Sequence, residues 1–527
     1  MSVVEVVEPK RIGSLALRVV QVGAIAVVLM VTTFHVFELD RFFVPKELVL
    51  HVTAALAGLL AIRALWRMSV TRVDLLLAGY LALSAVSALF ATNRWLAMRA
   101  LALTASSILL FWVARALRDA GLARPLLGAL ALAVVVAAAT SLLQTYGLDI
   151  DFFSVNRAPG GTLGNRNFIA HVAAFGFPLL LLCALRAARR GTYLRWAVAS
   201  ALVVTALVLT RSRAAWLAFA AVMLVLIVAM IISVPLRRDR RIWKRLIGLV
   251  LIAAAFAALS LALPNALHWH GRNPYLDSVR NIAEYSEGSG RGRLVQYTYS
   301  LLMAIRHPLF GAGPGNWPVD YLVRATRSDP SRDPNDRGMT ANPWPSSDLF
   351  ACISERGIAA FVLLALAFFR LARSGLRQLR RALDAQEALA AVAFLGVIAG
   401  AIVAGTFDAV LLLAVPALLV WTALGALWTP EETSARRTWP FVVIAALLIS
   451  IAGVFRSGSQ IAAMEIFAKH SDRASLIRAA QIDPGNYRVQ MRLAHMGGRV
   501  RCEHARAARA LFPTALAAAE AARGCGK

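Results

Sequence analysis

The sequence predicts an all-α protein that crosses a membrane about 12–13 times. Three observations lead there. Hydrophobic residues make up 59% of the 527 residues and charged residues only 16%, with a mean hydropathy of +0.64, more apolar surface than a soluble core can absorb. Runs of about 20 apolar residues recur from Leu17 to Phe455, each long enough to cross a hydrocarbon core of about 30 Å. Cations collect in alternate connections between those runs. Lipid offers the backbone no hydrogen-bond partners, so the runs must be helices. The first run lacks a small-residue cleavage site and is expected to stay as a helix.

In order, helices are predicted near residues 17–37, 47–66, 73–91, 97–117, 124–146, 167–185, 193–209, 213–236, 243–263, 346–369, 387–407, 408–427 and 439–455. With the amino terminus inside, the alternate connections carry Arg67/Arg72, Arg115/Arg118/Arg124, Arg186/Arg189/Arg190, the basic run from Arg237 to Arg245, and that from Arg370 to Arg381. The net charge of +27 and pI near 11.3 are therefore topogenic and do not imply a nucleic-acid partner. This orientation puts 147–166, the Arg211-Ser-Arg213 turn, the large loop 264–345 and the tail after Arg456 outside.

The chain divides into residues 1–146, a first set of helices; 147–430, which holds the polar outer segments; 431–456, a last crossing; and a tail, 457–527. In the tail 474–482, 487–495 and 505–523 have helical period, and Asp483-Pro-Gly-Asn486 is a break. One weak tetratricopeptide-like repeat is too little to stack a solenoid, which leaves a small helical appendage. Cys502 and Cys525 flank its last run in a compartment that permits disulfides and are expected to pair. Cys183 and Cys352 lie in apolar helices, where thiols act as small hydrophobes.

Topology does not explain the outer arginines Arg157, Arg166, Arg211, Arg213, Arg272, Arg280, Arg291 and Arg293, each of which has an alternative reading as a headgroup anchor. Arg211 and Arg213 stand out, because a turn between two apolar helices makes guanidinium groups costly unless they face protein, water or an anion. His268, His270 and His307 lack a ligand spacing, so no metal site is expected. His171 on an apolar helix reads as a packed residue. Trp269, Trp317 and Trp344 read as interfacial anchors or sugar-stacking surfaces. Gly311, Gly313 and Gly315 follow no strand and read as a sharp turn, not a dinucleotide loop.

Several outer segments together resemble the O-antigen ligase superfamily. Asn156-Arg-Ala-Pro-Gly-Gly-Thr-Leu-Gly-Asn-Arg-Asn-Phe-Ile-Ala170 is similar to its G-T-x-G-N-x-N-x-x-A segment, and Leu209-Thr-Arg-Ser-Arg-Ala-Ala-Trp216 to its S-R-x-x-W helix start. Gly290-Arg-Gly-Arg-Leu-Val-Gln-Tyr297, with His307-Pro-Leu-Phe-Gly-Ala-Gly-Pro-Gly-Asn316 after it, is similar to its R-x-x-x-W and H-P-x-x-G-x-G loop, Tyr297 standing in the tryptophan's place. Phe407-Asp408 and Pro416 to Trp421 resemble its later helices. The resemblance covers roughly Gly147 to Trp428.

It implies a GT-C-like membrane glycosyltransferase of the bacterial inner membrane, its active site facing the periplasm. Such an enzyme takes a glycan from an undecaprenyl-pyrophosphate carrier to a lipid, glycan or protein hydroxyl, with membrane lipids around it and no cofactor. Ligase, polymerase and protein O-oligosaccharyltransferase versions stay open. A flippase or transporter of the same carrier is the rival, although the sequence shows no related halves.

The leaving group of such a transfer is a lipid diphosphate, and arginine binds its oxygens bidentately while staying charged. Arg213 and Arg293 match the family's arginines and are the first candidates for catalysis, with Arg157, Arg211, Arg291, Asn165, Asn167 and His307 binding substrate. Family members open the helix after the large loop with a histidine, the proposed base, and carry Glu-x-Gly further on. Here Glu355 and Gly357 are present but the histidine's place is Ser346. Asp348, the nearest carboxylate, is the expected base; a helix cap is its alternative role. Glu355 is expected to pair with an arginine.

Overall fold

The computed structural model describes residues 4–34, 38–269, 273–280, 288–326, 329–333, 339–430, 439–498 and 500–525. Its helices are α1 (Val4–Leu29), α2 (Glu38–Leu60), α3 (Ile62–Trp66), α4 (Arg72–Leu89), α5 (Arg94–Asp119), α6 (Ala123–Thr145), α7 (Arg166–Arg186), α8 (Arg190–Leu209), α9 (Arg213–Ile232), α10 (Val234–Arg238) and α11 (Arg240–Ala262). There follow α12 (Pro274–Arg280), α13 (Gly288–Arg306), α14 (Trp317–Tyr321), α15 (Asp348–Arg381), α16 (Ala385–Phe407), α17 (Ala414–Leu427), α18 (Trp439–Lys469), α19 (Arg473–Ile482), α20 (Tyr487–His495), α21 (Arg501–Leu511) and α22 (Leu516–Ala521). Among the described residues, eleven helices are long and apolar enough to span a membrane, and the apolar Gly13–Leu29 and Ala414–Leu427 are shorter. The chain is an all-α polytopic membrane protein.

The most enclosed of these spans is α7. It packs against α6, α8, α9 and α16, and nearly every residue from Phe168 to Leu182 is buried. One end of the bundle carries the arginine-rich connections, where the guanidinium groups close exposed helix ends. Arg241 donates to the Ala187 and Ala188 carbonyls at 3.1 and 2.8 Å, and Arg245 to that of Leu185 at 2.9 Å, cations on the negative ends of helix dipoles. The other end, the loop face, carries 146–165, the Arg211 turn, the described residues of 263–347, the turn after α16 and the described residues of the tail.

Helix α15 breaks at Gly357, whose φ of 84° and ψ of 170° lie outside helical space. The glycine-rich turn 308–316 fills the break. Ile358 N donates to Pro308 O at 2.9 Å, while the Ala312 and Gly313 amides donate to the Ser354 and Glu355 carbonyls at 2.9 Å each. These bonds satisfy the backbone groups that the break frees, as a membrane interior requires. A Cβ at Gly357 would come within 2.3 Å of Leu309 O, and one at Gly311 within 2.3 Å of the Glu355 carbonyl carbon, so the turn and the helix approach backbone to backbone.

The helix predicted over 408–427 is shorter than expected. Asp408 is the C-cap of α16, and α17 begins only at Ala414, because Asp348 withdraws the intervening amides from any helix: Val410 N and Leu411 N donate to its two carboxylate oxygens at 3.0 and 2.9 Å. The tail run predicted over 505–523 is likewise divided into α21 and α22, with Pro513 between them. Trp317 is no interfacial anchor. It is fully buried and its indole N–H donates to Ser300 Oγ at 2.9 Å.

The tail docks onto the loop face. Tyr487, Met491, Leu511 and Phe512 pack with Val319 and Trp95, Asn93 Nδ2 donates to Leu511 O at 3.2 Å, and Arg456 of α18 lies 3.1 Å from Asp483 Oδ1. Cys502 and Cys525 form a disulfide with Cα atoms 5.3 Å apart.

Candidate active site on the loop face

Two clusters of polar side chains meet at the start of α7. Asn165 caps that helix, its Oδ1 accepting from Asn167 N at 3.0 Å. The residue between them, Arg166, turns towards one cluster and Asn167 towards the other.

The first cluster is cationic. The guanidinium carbons of Arg166 and Arg211 lie 4.7 and 4.8 Å from the centroid of the Trp269 ring, and Arg157 and Arg211 both act electrostatically on Arg166. Arg166 N also donates to Arg157 O at 3.1 Å, which ties the two segments together. Arg211 stands in the tight turn between α8 and α9 with φ 54°, a left-handed conformation that costs a non-glycine residue about 1–2 kcal/mol. The surrounding bonds enforce it. Arg211 N donates to Val208 O at 3.2 Å, Trp216 Nε1 donates to Leu207 O at 3.2 Å, and Arg211 Nε donates to Ser278 Oγ of α12 at 3.0 Å. Burial holds the Arg211 guanidinium below its ordinary pKa, against the opposing influence of Tyr275 and Asp277. Among the described residues no carboxylate comes within salt-bridge distance of Arg157, Arg166 or Arg211. Three guanidinium groups with no carboxylate within salt-bridge distance, two of them over one indole face, have the chemistry to receive a multivalent anion.

The second cluster lies where α7, α13 and α16 meet. Tyr297 Oη lies 3.0 Å from Ser346 O and 3.1 Å from Thr406 O, and its ring stacks on Phe350 with centroids 4.4 Å apart. Tyr297 thereby fastens α13 to the ends of α15 and α16. Arg293 is one turn before Tyr297 on the same face of α13, and it acts electrostatically on His171. Asp408 Oδ2 accepts from Asn167 Nδ2 at 3.4 Å and lies 4.0 Å from His171 Nε2, while its Oδ1 accepts from Ala409 N at 2.9 Å.

The expected site residues therefore separate. Arg157 and Arg211 join through Arg166, whereas Asn167 and Arg293 lie about Asp408. Arg213 opens α9 two residues beyond Arg211. Arg291 is exposed and, two residues from Arg293 on a helix, points away from the face that Arg293 uses. His307 is exposed at the far end of α13, about 20 Å along the axis from Arg293 at 1.5 Å per residue, so the loop does not fold it back to the cluster. Asp348 is an anchor in this geometry, with both oxygens engaged by backbone amides and Gly405 close against Oδ2. Glu355 also holds backbone: it accepts from Gly315 N at 2.9 Å and Trp317 N at 3.3 Å, and lies 3.4 Å from Arg356 Nη1.

Beside this cluster an apolar cavity of about 320 Å³ runs between α15 and α16. Asp348 and Gly405 stand at its loop-face end, and Leu364, Phe368, Phe369 and Ile402 line it further in.

Residues 198–365 match the model of a protein family described as O-antigen ligase. The chain carries an O-antigen ligase domain. No curated protein matches the sequence. The O-antigen ligase match takes in Arg211, Arg213, Arg293, Tyr297, Asp348 and Glu355, whereas Arg157, Arg166, Asn167, His171 and Asp408 lie outside it and enter the site through the fold. The match supports membrane glycosyltransferase activity of the O-antigen ligase or polymerase type.

Sequence reasoning did not place Arg166 beside Arg211, or Asp408 beside Asn167 and His171. The unexplained outer arginines already included Arg166. His171 carried no such signal, since its sequence neighbours are apolar.

Proposed function

We propose that the protein transfers a glycan from an undecaprenyl-diphosphate carrier to an acceptor hydroxyl at the loop face, on the periplasmic side of the bacterial inner membrane. The observation that carries this reading is the pair of Arg166 and Arg211 over Trp269, with Arg157 acting on Arg166, and no carboxylate within salt-bridge distance of the three among the described residues. A diphosphate supplies the counter-charge. As the bond from the sugar C1 to the carrier oxygen breaks, the electron pair passes to the diphosphate, and fixed guanidinium groups stabilise it without reorganisation. Arg293 and Arg213 extend this stabilisation towards the reacting carbon. The apolar cavity between α15 and α16 accommodates part of the prenyl chain.

The acceptor oxygen forms the new bond to C1 and releases a proton. Asp348 was the expected recipient, but a proton there competes with one of the two backbone amides, Val410 or Leu411, that its oxygens hold. Asp408 has one oxygen committed to Ala409 and the other held only by long contacts, so it takes the proton in this reading.

Deletion of the gene in the native host tests the proposal. Carrier-linked glycan should accumulate on the periplasmic side while its acceptor loses glycan. Wild-type protein should restore transfer, and an Arg166→Ala, Arg211→Ala double variant should not. Accumulation on the cytoplasmic side would instead mark a translocator. Loss of capped lipopolysaccharide, of polymer length or of glycoprotein mobility would tell ligase, polymerase and protein glycosylation apart.

A further inference from the structure

His171 lies five residues into the most enclosed helix of the protein and is 1% exposed. Neither ring nitrogen has a hydrogen-bond partner among the described residues, which is rare for a buried polar group and calls for a reason. Packing alone gives none, because a phenyl or isobutyl group would fill the space without stranding two nitrogens. Its Nε2 instead faces Asp408 Oδ2 at 4.0 Å, a gap that a small turn of the carboxylate closes to a hydrogen bond. Asp408 is itself partly open, with 12% of its side chain accessible, against 1% for the imidazole behind it. The carboxylate thus stands between the loop face and the histidine.

We propose that His171 is a positioning residue that relays the acceptor's proton through Asp408. The inference rests on the proposed transfer reaction. The acceptor O–H proton moves to Asp408 Oδ2 as the acceptor oxygen bonds to the sugar C1 and the C1–O bond to the diphosphate breaks. That proton passes on to His171 Nε2, which leaves an imidazolium beside a carboxylate. The electron pair of the broken bond remains on the diphosphate. The charged groups acting on His171 are Asp408, in the turn after α16, and Arg293, on α13. Asp408 steadies the imidazolium, while Arg293 favours return of the proton once the product has left.

The test uses full-length protein in membranes of a host lacking its own copy, with the accumulated lipid-linked glycan of that host as donor, and follows the rate of glycan discharge from pH 5 to 9. Purified full-length protein in nanodiscs is probed in parallel with undecaprenyl diphosphate. His171→Gln should bind the probe within about twofold of wild type and transfer at least tenfold more slowly. The acid limb of its rate profile should move away from the wild-type position, a change that a purely structural histidine would not produce. A wild-type rate with an unmoved acid limb overturns the relay, as does loss of probe binding in step with loss of rate. His171→Phe should show the same slow transfer. If neither variant accumulates, the solvent isotope effect on wild-type transfer decides, since equal rates in H2O and D2O overturn the proposal. Asp408→Asn separates the two levels of inference: full activity there removes the proton acceptor itself, whereas an inactive Asp408→Asn beside a fully active His171→Gln removes only the relay.

Discussion

Arg166 and Arg211, forty-five residues apart in the chain, place their guanidinium groups 4.7 and 4.8 Å from the centroid of one indole ring, that of Trp269. Like charges gathered this closely repel, and the quadrupole of the ring offsets part of that cost. Trp269→Ala should therefore raise the KM for the lipid-linked donor about tenfold, from loss of roughly 1–2 kcal/mol of cation–π interaction, with a smaller change in kcat. Trp269→Phe should recover part of it. Equal KM values for all three proteins would remove the tryptophan from the site.

The arginines differ in what a lysine can replace. At Arg211 the planar fork both faces Trp269 and donates to Ser278, so Arg211→Lys should retain little transfer and Arg211→Ala none that is measurable. Arg213→Ala and Arg293→Ala should abolish transfer with the protein still present in the membrane, whereas Arg291→Ala, on the opposite side of its helix, should stay near wild type. Transfer rates in host membranes, normalised to protein content, decide each case. An inactive Arg291→Ala beside an active Arg293→Ala would reverse the assignment of the face.

Asp348 separates anchoring from catalysis. Asp348→Ala leaves the Val410 and Leu411 amides without their acceptor and should destabilise the fold by about 3–6 kcal/mol, at 1.5–3 kcal/mol for each of the two bonds to a charged group. Thermal unfolding of the detergent-solubilised protein would show it. Asp348→Asn keeps the size and one acceptor, so it should retain substantial transfer with a lowered midpoint. A stable but inactive Asp348→Asn protein would return the role of base to this residue.

The tail carries a pH dependence of its own. Burial raises the pKa of Asp483 in spite of Arg456 beside it, so the docked tail binds this proton more tightly than the free tail does. With the ordinary carboxylate pKa near 4, docking should weaken as the pH rises through the folded-state value and strengthen as it falls towards that ordinary value. Hydrogen exchange across α19 and α20, corrected for the intrinsic rate, should show greater protection near pH 5 than at pH 8. The opposite trend would mean that the ion pair with Arg456 outweighs burial.

The sequence made the membrane-spanning helices legible because each apolar run answers to the thickness of lipid and each arginine-rich connection to orientation. It also marked Arg157, Arg211 and Arg293 by elimination, as cations that orientation left over. Contacts between distant residues were beyond it. Residues 408–427 read as one continuous apolar helix, and only the capture of two amides by a carboxylate some sixty residues earlier shows why the first turn does not form. The nearness of His171 to Asp408 was hidden for the same reason: its near neighbours in the chain are apolar, and Asp408 reaches it only through the packing of α7 against α16. The Gly311 to Gly315 turn was recognisable as a turn, but its seat in the break of α15 depends on Gly357 forty-odd residues away.

Group transfer at the arginine cluster releases a lipid diphosphate, and the most direct measurement counts that product. Full-length protein in nanodiscs, supplied with the host's own lipid-linked glycan and acceptor fraction, should release one undecaprenyl diphosphate, detected by mass spectrometry, for each glycan found on the acceptor. The Arg166→Ala, Arg211→Ala protein should release none. Glycan movement across proteoliposomes with no free undecaprenyl diphosphate formed would contradict the account.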